Sequence, residues 1–479
     1  MRASWVGAAI LVTFLCIPAA AQMSSMEDSG ESQSQSSMAR LGGQNPFLGG
    51  VPSGDATPGV LQLTLKYAID RGLKYNLGLL LSEQGTKEAR GARMRALSDL
   101  LPKLTWQTSE TRQQLNLQAF GFSSFPGIPS IVGPFNVFDT RAYVSQPILD
   151  FKAIHKKEVE SENLKAAEYS YKDSRDIVVL ICAYMYFGAV ADASRVDAAT
   201  AELKTAQAIY DQAADLKKAG VVPGVDVLRA QVELQAQQQR LLYLQNAFQR
   251  QKLNLARAIG LPTGQEFSLA DQMPYAPMRA LTLEDALQRA RSTRADYQSA
   301  VALVRAAESN KKAAQSERLP ALRFNADFGD IGLAPGNSHE TFTVGANMRV
   351  PIFQGGLVRG KVMQADALLK KRQAELEDLR SRIDYEVRTG FMDVKSTGDQ
   401  VQVATSAVAL AQEQVKQSQD RFAAGVANSL EVVQTQEALA TADENYISSL
   451  YGFNVAKASL ARAMGMAEEV AKQVLGGRQ

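Results

Sequence analysis

Residues 252–260 read Lys-Leu-Asn-Leu-Ala-Arg-Ala-Ile-Gly, and residues 457–465 read Lys-Ala-Ser-Leu-Ala-Arg-Ala-Met-Gly. Six of the nine positions are identical across a separation of 205 residues. A repeat of so long a period is one architectural unit written twice, and it constrains the fold before any local pattern is read. Working outward, Leu63-Thr64-Leu65 with Ala68 and Arg71 matches Leu281-Thr282-Leu283 with Ala286 and Arg289, at an offset of 218. Leu101-Pro102-x-Leu104-x-Trp106 matches Leu319-Pro320-x-Leu322-x-Phe324 at the same offset. Pro147-Ile148 matches Pro351-Ile352 at 204, and Ala219-Gly220-Val221 matches Ala424-Gly425-Val426 at 205. The first copy therefore carries a longer excursion between Trp106 and Pro147.

Each copy has the same grammar: helix, hairpin-like excursion, very long helix, tight turn, helix. Val401, Val408, Val415 and Phe422 fall seven apart, with Ala404, Ala411 and Ser418 at the intervening heptad position. Leu203, Ala206, Tyr210 and Ala213 repeat this in the first copy. A seven-residue apolar repeat drives left-handed supercoiling, and small residues let the helices approach closely. No proline interrupts residues 356–423, so the spacing predicts a rod of roughly 100 Å. The excursions alternate with period two: Leu322, Phe324, Ala326 and Phe328, then Phe342, Val344, Ala346, Met348 and Val350, are apolar at every second position. That pattern gives strands with one apolar and one polar face, each about the 9–11 residues that cross a bilayer when tilted. Four such strands cannot close a barrel, and open edges are forbidden in lipid. Three chains would supply about 12 strands, within the range of outer-membrane barrels.

The domain boundaries follow. Arg2, the apolar run Trp5–Ile17 and Ala19-Ala20-Ala21 read as a secretory signal over residues 1–21. Residues 22–60, rich in Ser, Gln and Gly, read as a flexible segment. Repeat 1 occupies 61–265 with its hairpin at about 103–146. Repeat 2 occupies 266–465 with its hairpin at about 321–351, and 466–479 form a tail. After the signal no segment reads as a membrane-spanning helix. Removing the signal leaves Cys182 as the one cysteine, in the apolar stretch 177–190, where it reads as a packed helix residue. Fifty-two basic against 50 acidic residues argue against a nucleic-acid partner.

Nothing in the chain points to an enzyme or to a cofactor. Gly355-Gly356-Leu357-Val358-Arg359-Gly360-Lys361 has phosphate-loop spacing, but Val362 stands where a magnesium-binding Ser or Thr is needed. It reads as a strand-to-helix joint. His155 and His339, read as solvated residues at a helix start and in a hairpin turn, cannot assemble a zinc site with one cysteine. The informative polar positions are Asp226 and Glu431, equivalent acids just after the two tight turns. An acid in the first turn of a helix favourably meets the helix dipole. In a symmetric tube of helices the same acids would form rings that attract cations.

The Leu-Thr-Leu openings, the Leu-Pro steps, Pro351-Ile352-Phe353-x-Gly355-Gly356, the Ala-Gly-Val turns and the Leu-Ala-Arg-Ala-x-Gly endings, in order and in duplicate, resemble the TolC-like outer-membrane efflux protein family over residues 61–465. The resemblance implies a mainly α homotrimer. Its 12-stranded outer-membrane β-barrel would continue into a 12-helix periplasmic α-barrel, serving an inner-membrane pump through a periplasmic adaptor. It also implies a periplasmic gate. Glu431 matches one ring acid, and Gln434 stands where a second acid is found. Phe422 and Ala427 stand where a tyrosine and an arginine of the latch lie, so a less charged latch is expected. Gly220, Val221, Gly425 and Val426 would form the adaptor-contact tips. The alternative reading is a non-conducting periplasmic coiled-coil or adaptor protein.

Overall fold

The computed structural model describes residues 45–121, 129–276, 281–424, 426–427 and 429–469. The chain divides between Asn45 and Pro46, and the fold is that of the second unit. The expected signal over 1–21 lies outside the described residues, as does Gly425.

Repeat 1 runs β1 (Leu61–Leu63), α1 (Leu65–Tyr75), α2 (Leu77–Ser98), β2 (Lys103–Asn116), β3 (Ile131–Leu149), α3 (Phe151–Lys218) and α4 (Gly224–Ala258). Repeat 2 runs β4 (Phe267–Leu269), α5 (Leu283–Thr293), α6 (Ala295–Ser316), β5 (Ala321–Ala334), β6 (Asn337–Arg349), α7 (Leu357–Ala423) and α8 (Ser429–Ala463). The helices are 11, 22, 68 and 35 residues long in the first copy and 11, 22, 67 and 35 in the second. The short motifs now have causes. Thr64 and Thr282 cap α1 and α5, accepting from the amides of Tyr67 and Asp285 at 3.2 and 3.1 Å. The Leu-Pro steps end α2 and α6, because the residue before proline avoids the helical region.

Each long helix has two partners in series. Repeat 1 pairs α3 with α2 and α4, repeat 2 pairs α7 with α6 and α8, and α3 also packs on α6 and α8 of repeat 2. The heptad reading holds: Val401, Ala404, Ala411, Val415, Ser418 and Phe422 are all buried. Cys182 is fully buried on α3, and burial pushes its thiol up to about 12. The expectation that no other helix is apolar enough to cross a membrane needs correction. An 18-residue window of α3 reaches a mean hydropathy of 1.8, but half of it is buried. Its apolar side chains, Val178 to Val190, form the largest core with α1, β1, β4 and the end of α4.

The joint between the two short helices of each repeat is a buried polar staple. Asn76 caps α2 and donates to the carbonyls of Phe47 and Ala258 at 2.7 and 3.1 Å. Its counterpart, 218 residues on, is Arg294. Arg294 grips Asp296 through Nε at 3.0 Å and Nη2 at 2.6 Å, pairs with Glu386, and donates to the carbonyl of Ala463 at 3.3 Å. Ala258 and Ala463 are themselves equivalent, so each staple closes the last helix of its repeat onto the first.

Four strands form one antiparallel sheet in the order β2-β3-β5-β6. They are 14, 19, 14 and 13 residues long, longer than the 9–11 expected. Backbone pairing continues past the last wholly apolar row: Trp106, Ala142, Phe328 and Phe342 make one row, and the next row outward is Thr108, Thr140, Asp330 and Glu340, with Phe138 of β3 one row beyond. On the polar face Arg141 bridges Asp139 and Asp327 at 2.7 and 2.8 Å. His339 lies in β6 rather than in the turn, which tightens to Pro335-Gly336. His155 is half-buried, with Nδ1 3.0 Å from Glu158.

One terminal expectation also changes. From Pro46 the segment expected to be flexible is tied down, with the amide of Val51 bonding the carbonyl of Tyr75 at 2.8 Å and Phe47 filling the space over Gly78. The first residues of the tail are held by Arg175, whose Nε and Nη2 reach Glu468 at 3.0 and 2.9 Å.

Candidate functional site at the helix-hairpin tips

Both long helices end the same way. Leu216, Lys217 and Gly220 form a left-handed cap: the amide of Gly220 bonds Lys217 at 3.0 Å and that of Val221 bonds Leu216 at 2.9 Å, with Gly220 at φ 74°. This is the hydrogen-bond pattern of a Schellman motif, which glycine adopts without a Cβ penalty. At the second tip the amide of Val426 bonds Arg421 at 3.0 Å. Val221 and Val426 project outward, 59% and 66% exposed. A groove of about 390 Å³ is lined by Val225, Leu228, Val232, Leu430 and Val433 together with Arg229 and Glu233.

The acids differ in setting. Asp226, in the first turn of α4, is almost buried, with Arg229 Nη1 at 3.3 Å. Glu431, in the first turn of α8, reaches back across the turn to Arg421 Nε at 3.0 Å. Both partners of that pair are well exposed, so the bond contributes at most about 1 kcal/mol. Gln434 is exposed and Ala427 half-buried. Phe422 is 2% exposed and packs with Ile209, Ala213, Ala230 and Val432. It joins the two hairpins as a core residue and presents no surface. Beside it the Ser418 and Thr435 hydroxyls lie 2.7 Å apart, bonding α7 to α8. Sequence reading missed Arg421 and Arg229. Arg229, one helical turn from Asp226, was the available signal in the first copy, whereas Arg421 lies ten residues before Glu431 on the preceding helix.

Farther along the bundle, Arg195 on α3 clasps Glu444 on α8 at 2.8 Å and Asp192 at 2.9 Å. Glu202, 3.1 Å from Arg240, is pushed above the usual carboxylate range by burial and by the charge of Asp443, against the pull of Arg240. Burial raises Asp443 as well. Such a carboxyl holds its proton more tightly folded than unfolded. It therefore costs stability at neutral pH, and that cost fades as pH falls through the raised value towards the ordinary value of about 4. Asp443→Asn is expected to raise the thermal midpoint at pH 7.5 and to remove part of the wild type's gain on acidification. A lower midpoint at pH 7.5 would mean that the carboxylate is a bonded partner.

Duplicated long-helix hairpins, a sheet apolar on one face, and apolar tips with acids beside them define a class of elongated membrane-associated subunit. The chain belongs to the outer membrane efflux protein family, whose profile matches residues 68–261 and 286–466, and its location is the outer membrane with a periplasmic helical extension. Among relatives, the pyoverdine export outer membrane protein OpmQ of Pseudomonas aeruginosa is 24% identical over 395 residues, 79% of this chain and 80% of OpmQ. The probable efflux pump outer membrane protein TtgC of Pseudomonas putida is 23% identical over 317 residues, 64% of this chain and 63% of TtgC. The match thus spans less than two thirds of TtgC. Solved structures share the fold: VceC of Vibrio cholerae has a TM-score of 0.72 at 18% identity, covering 84% of this chain and 96% of VceC. CmeC of Campylobacter jejuni has a TM-score of 0.75 at 17% identity, covering 88% and 92%.

Proposed function

We propose that three copies of this chain form a 12-stranded barrel continuous with a 12-helix periplasmic tube, and that this tube exports small molecules or proteins, with an inner-membrane pump and a periplasmic adaptor. One observation carries the reading. The sheet has an apolar face with Trp106, Phe328 and Phe342 exposed, and its outer strands β2 and β6 have no further strand beside them among the described residues. Long, exposed strand edges demand a partner, and pairing β2 of one copy with β6 of the next meets that demand by closure. A periplasmic coiled-coil protein would have no use for that face. The names of relatives, a toluene efflux pump protein, a pyoverdine export protein and a protease secretion protein, support export as the class of activity. Detergent-solubilised protein should have the mass of three chains and resist dissociation by SDS. A stable detergent-free monomer in light scattering would overturn the reading.

In this assembly Asp226 and Glu431 recur three times each near the periplasmic mouth, with Gln434 and Ala427 beside them and Phe422 holding the hairpins together behind. Gly220, Val221, Gly425 and Val426 are the surface offered to the adaptor. Glu431→Gln is expected to weaken cation selectivity in bilayer conductance, because it also leaves Arg421 uncompensated. The effect should shrink in 1 M salt, where the Debye length falls to about 3 Å. Equal selectivity of variant and wild type at low salt would leave Glu431 as a partner of the helix dipole alone.

A further inference from the structure

We propose that the four sheet-to-helix joints form a collar in the inner leaflet of the outer membrane that binds anionic lipid headgroups. This rests on the channel reading above. Depth is the first argument. The apolar face of β5 runs from Phe328 down to Leu322, and Asp330 and Glu340 close it above. Six residue steps span roughly 20 Å along the strand, or about 15 Å along the bilayer normal at a tilt of roughly 40°. The apolar band of an outer-membrane barrel is about 25 Å tall. On β5 and β6, where those acids stand, the shortfall has to be met at the helix end. There the chain exposes Leu101, Ile148 and Leu319, with Ile352 and Phe353 96% and 89% exposed. The joints therefore lie within the lower leaflet, and the residues that follow them lie at headgroup depth.

Charge is the second argument. Residues 95–103, 150–158, 311–319 and 351–361 hold ten Lys or Arg against four Asp or Glu, whereas the whole chain holds 52 against 50. Asp99 and Glu317 occupy equivalent positions, and each is straddled by two lysines. Lys103 and Lys156 lie 3.2 and 3.5 Å from Asp99, and Lys152 and Lys361 lie 2.6 and 2.7 Å from Glu317. Lys311 is taken by Asp366 at 2.7 Å. Arg95, Lys157, Lys312, Arg318 and Arg359 have no carboxylate within ion-pair distance among the described residues, and all but Lys157 are exposed. Unneutralised cations directly below an apolar belt complement a layer of lipid phosphates.

The test uses full-length protein reconstituted into phosphatidylcholine bilayers with a minor fraction of phosphatidylglycerol, then re-extracted for mass spectrometry of the lipids it retains. Flotation with phosphatidylcholine vesicles reports insertion. Wild type should retain phosphatidylglycerol at least about fivefold above its bulk proportion, the effect of roughly one cation at an anionic surface. Lys157→Gln/Lys312→Gln/Arg318→Gln/Arg359→Gln should still float as a trimer but hold lipid near the bulk ratio. Lys204→Gln/Lys217→Gln/Lys395→Gln/Lys416→Gln, which removes the same charge from the long helices, should keep the preference. Wild type that floats yet holds lipid at the bulk ratio overturns the collar and leaves the channel standing. Loss of the preference in excess inorganic phosphate assigns the site to free phosphate and also overturns it. Failure to float at all overturns both readings.

Discussion

Replacing Arg294 by alanine is expected to cost about 3–5 kcal/mol of stability, the usual loss when one partner of a buried ion pair is removed. The guanidinium is 2% exposed and faces two carboxylates, Asp296 and Glu386. Burial works against the charges of Arg294 and Asp296, yet Arg294 overrides it and holds the Asp296 carboxyl below its usual range. Alanine would leave both acids without the cation bonded to them, Asp296 keeping only the attraction of Arg462, and the carbonyl of Ala463 without its donor. Repeat 1 supplies its own control. At the equivalent positions it carries Asn76, Gly78 and Ile181, a staple with no charge. Arg294→Asn/Asp296→Gly/Glu386→Ile should therefore recover more than half of the loss, since a buried ion pair can often be exchanged for neutral packing. Thermal melts of the detergent-solubilised protein provide the measurement. Equal melting of Arg294→Ala and wild type would mean that the staple is dispensable.

Val426→Arg is expected to abolish export while leaving the yield of assembled protein unchanged. Val426 is exposed and points away from every core, so the substitution removes no buried contact. Its amide, not its side chain, closes the cap on Arg421. What changes is the end surface of the hairpin, where a small apolar residue becomes a long cation. An adaptor packing there by close approach would be held off, and crosslinking between the two should disappear along with complementation of an export-deficient strain. Transport surviving with normal crosslinking would place the docking surface elsewhere and reduce the tip to a folding element.

Much of this architecture was legible because it is periodic. The heptads between 401 and 422 and the unbroken run from 356 predicted a helix that the structure sets at Leu357–Ala423, since helix length here depends on local pattern alone. The turn at Gly220 was readable because only glycine meets the left-handed conformation cheaply. The strands were underestimated because hydrophobic alternation marks the part facing lipid, whereas pairing depends on the backbone and continues into polar rows. Phe422 was readable as interior from its heptad position, but not its partners: Ile209 and Ala230, on which it packs, are near only in three dimensions. The same holds for Arg294, whose partners lie 2 and 92 residues away. Three-residue strands such as β1 and β4 are too short to show any period at all.

That short pairing has a kinetic meaning. β1 aligns with β4 in parallel, Leu61 beside Phe267 and Leu63 beside Leu269, and β3 joins β5 across a similar stretch of chain. The hairpins β2–β3 and β5–β6 close locally, but the contacts that make one sheet and one base from two repeats span about two hundred residues. Contacts so distant along the chain slow folding, because loop-closure entropy is lost before any burial rewards it. The order of synthesis sharpens the point. Arg175 and Asp173, on the first long helix, wait for Glu468 and Arg462 at the far end of the chain. A polypeptide threaded outward from its N-terminus must keep the apolar edge of β3 soluble until β5 has emerged, and its first long helix must wait longer still.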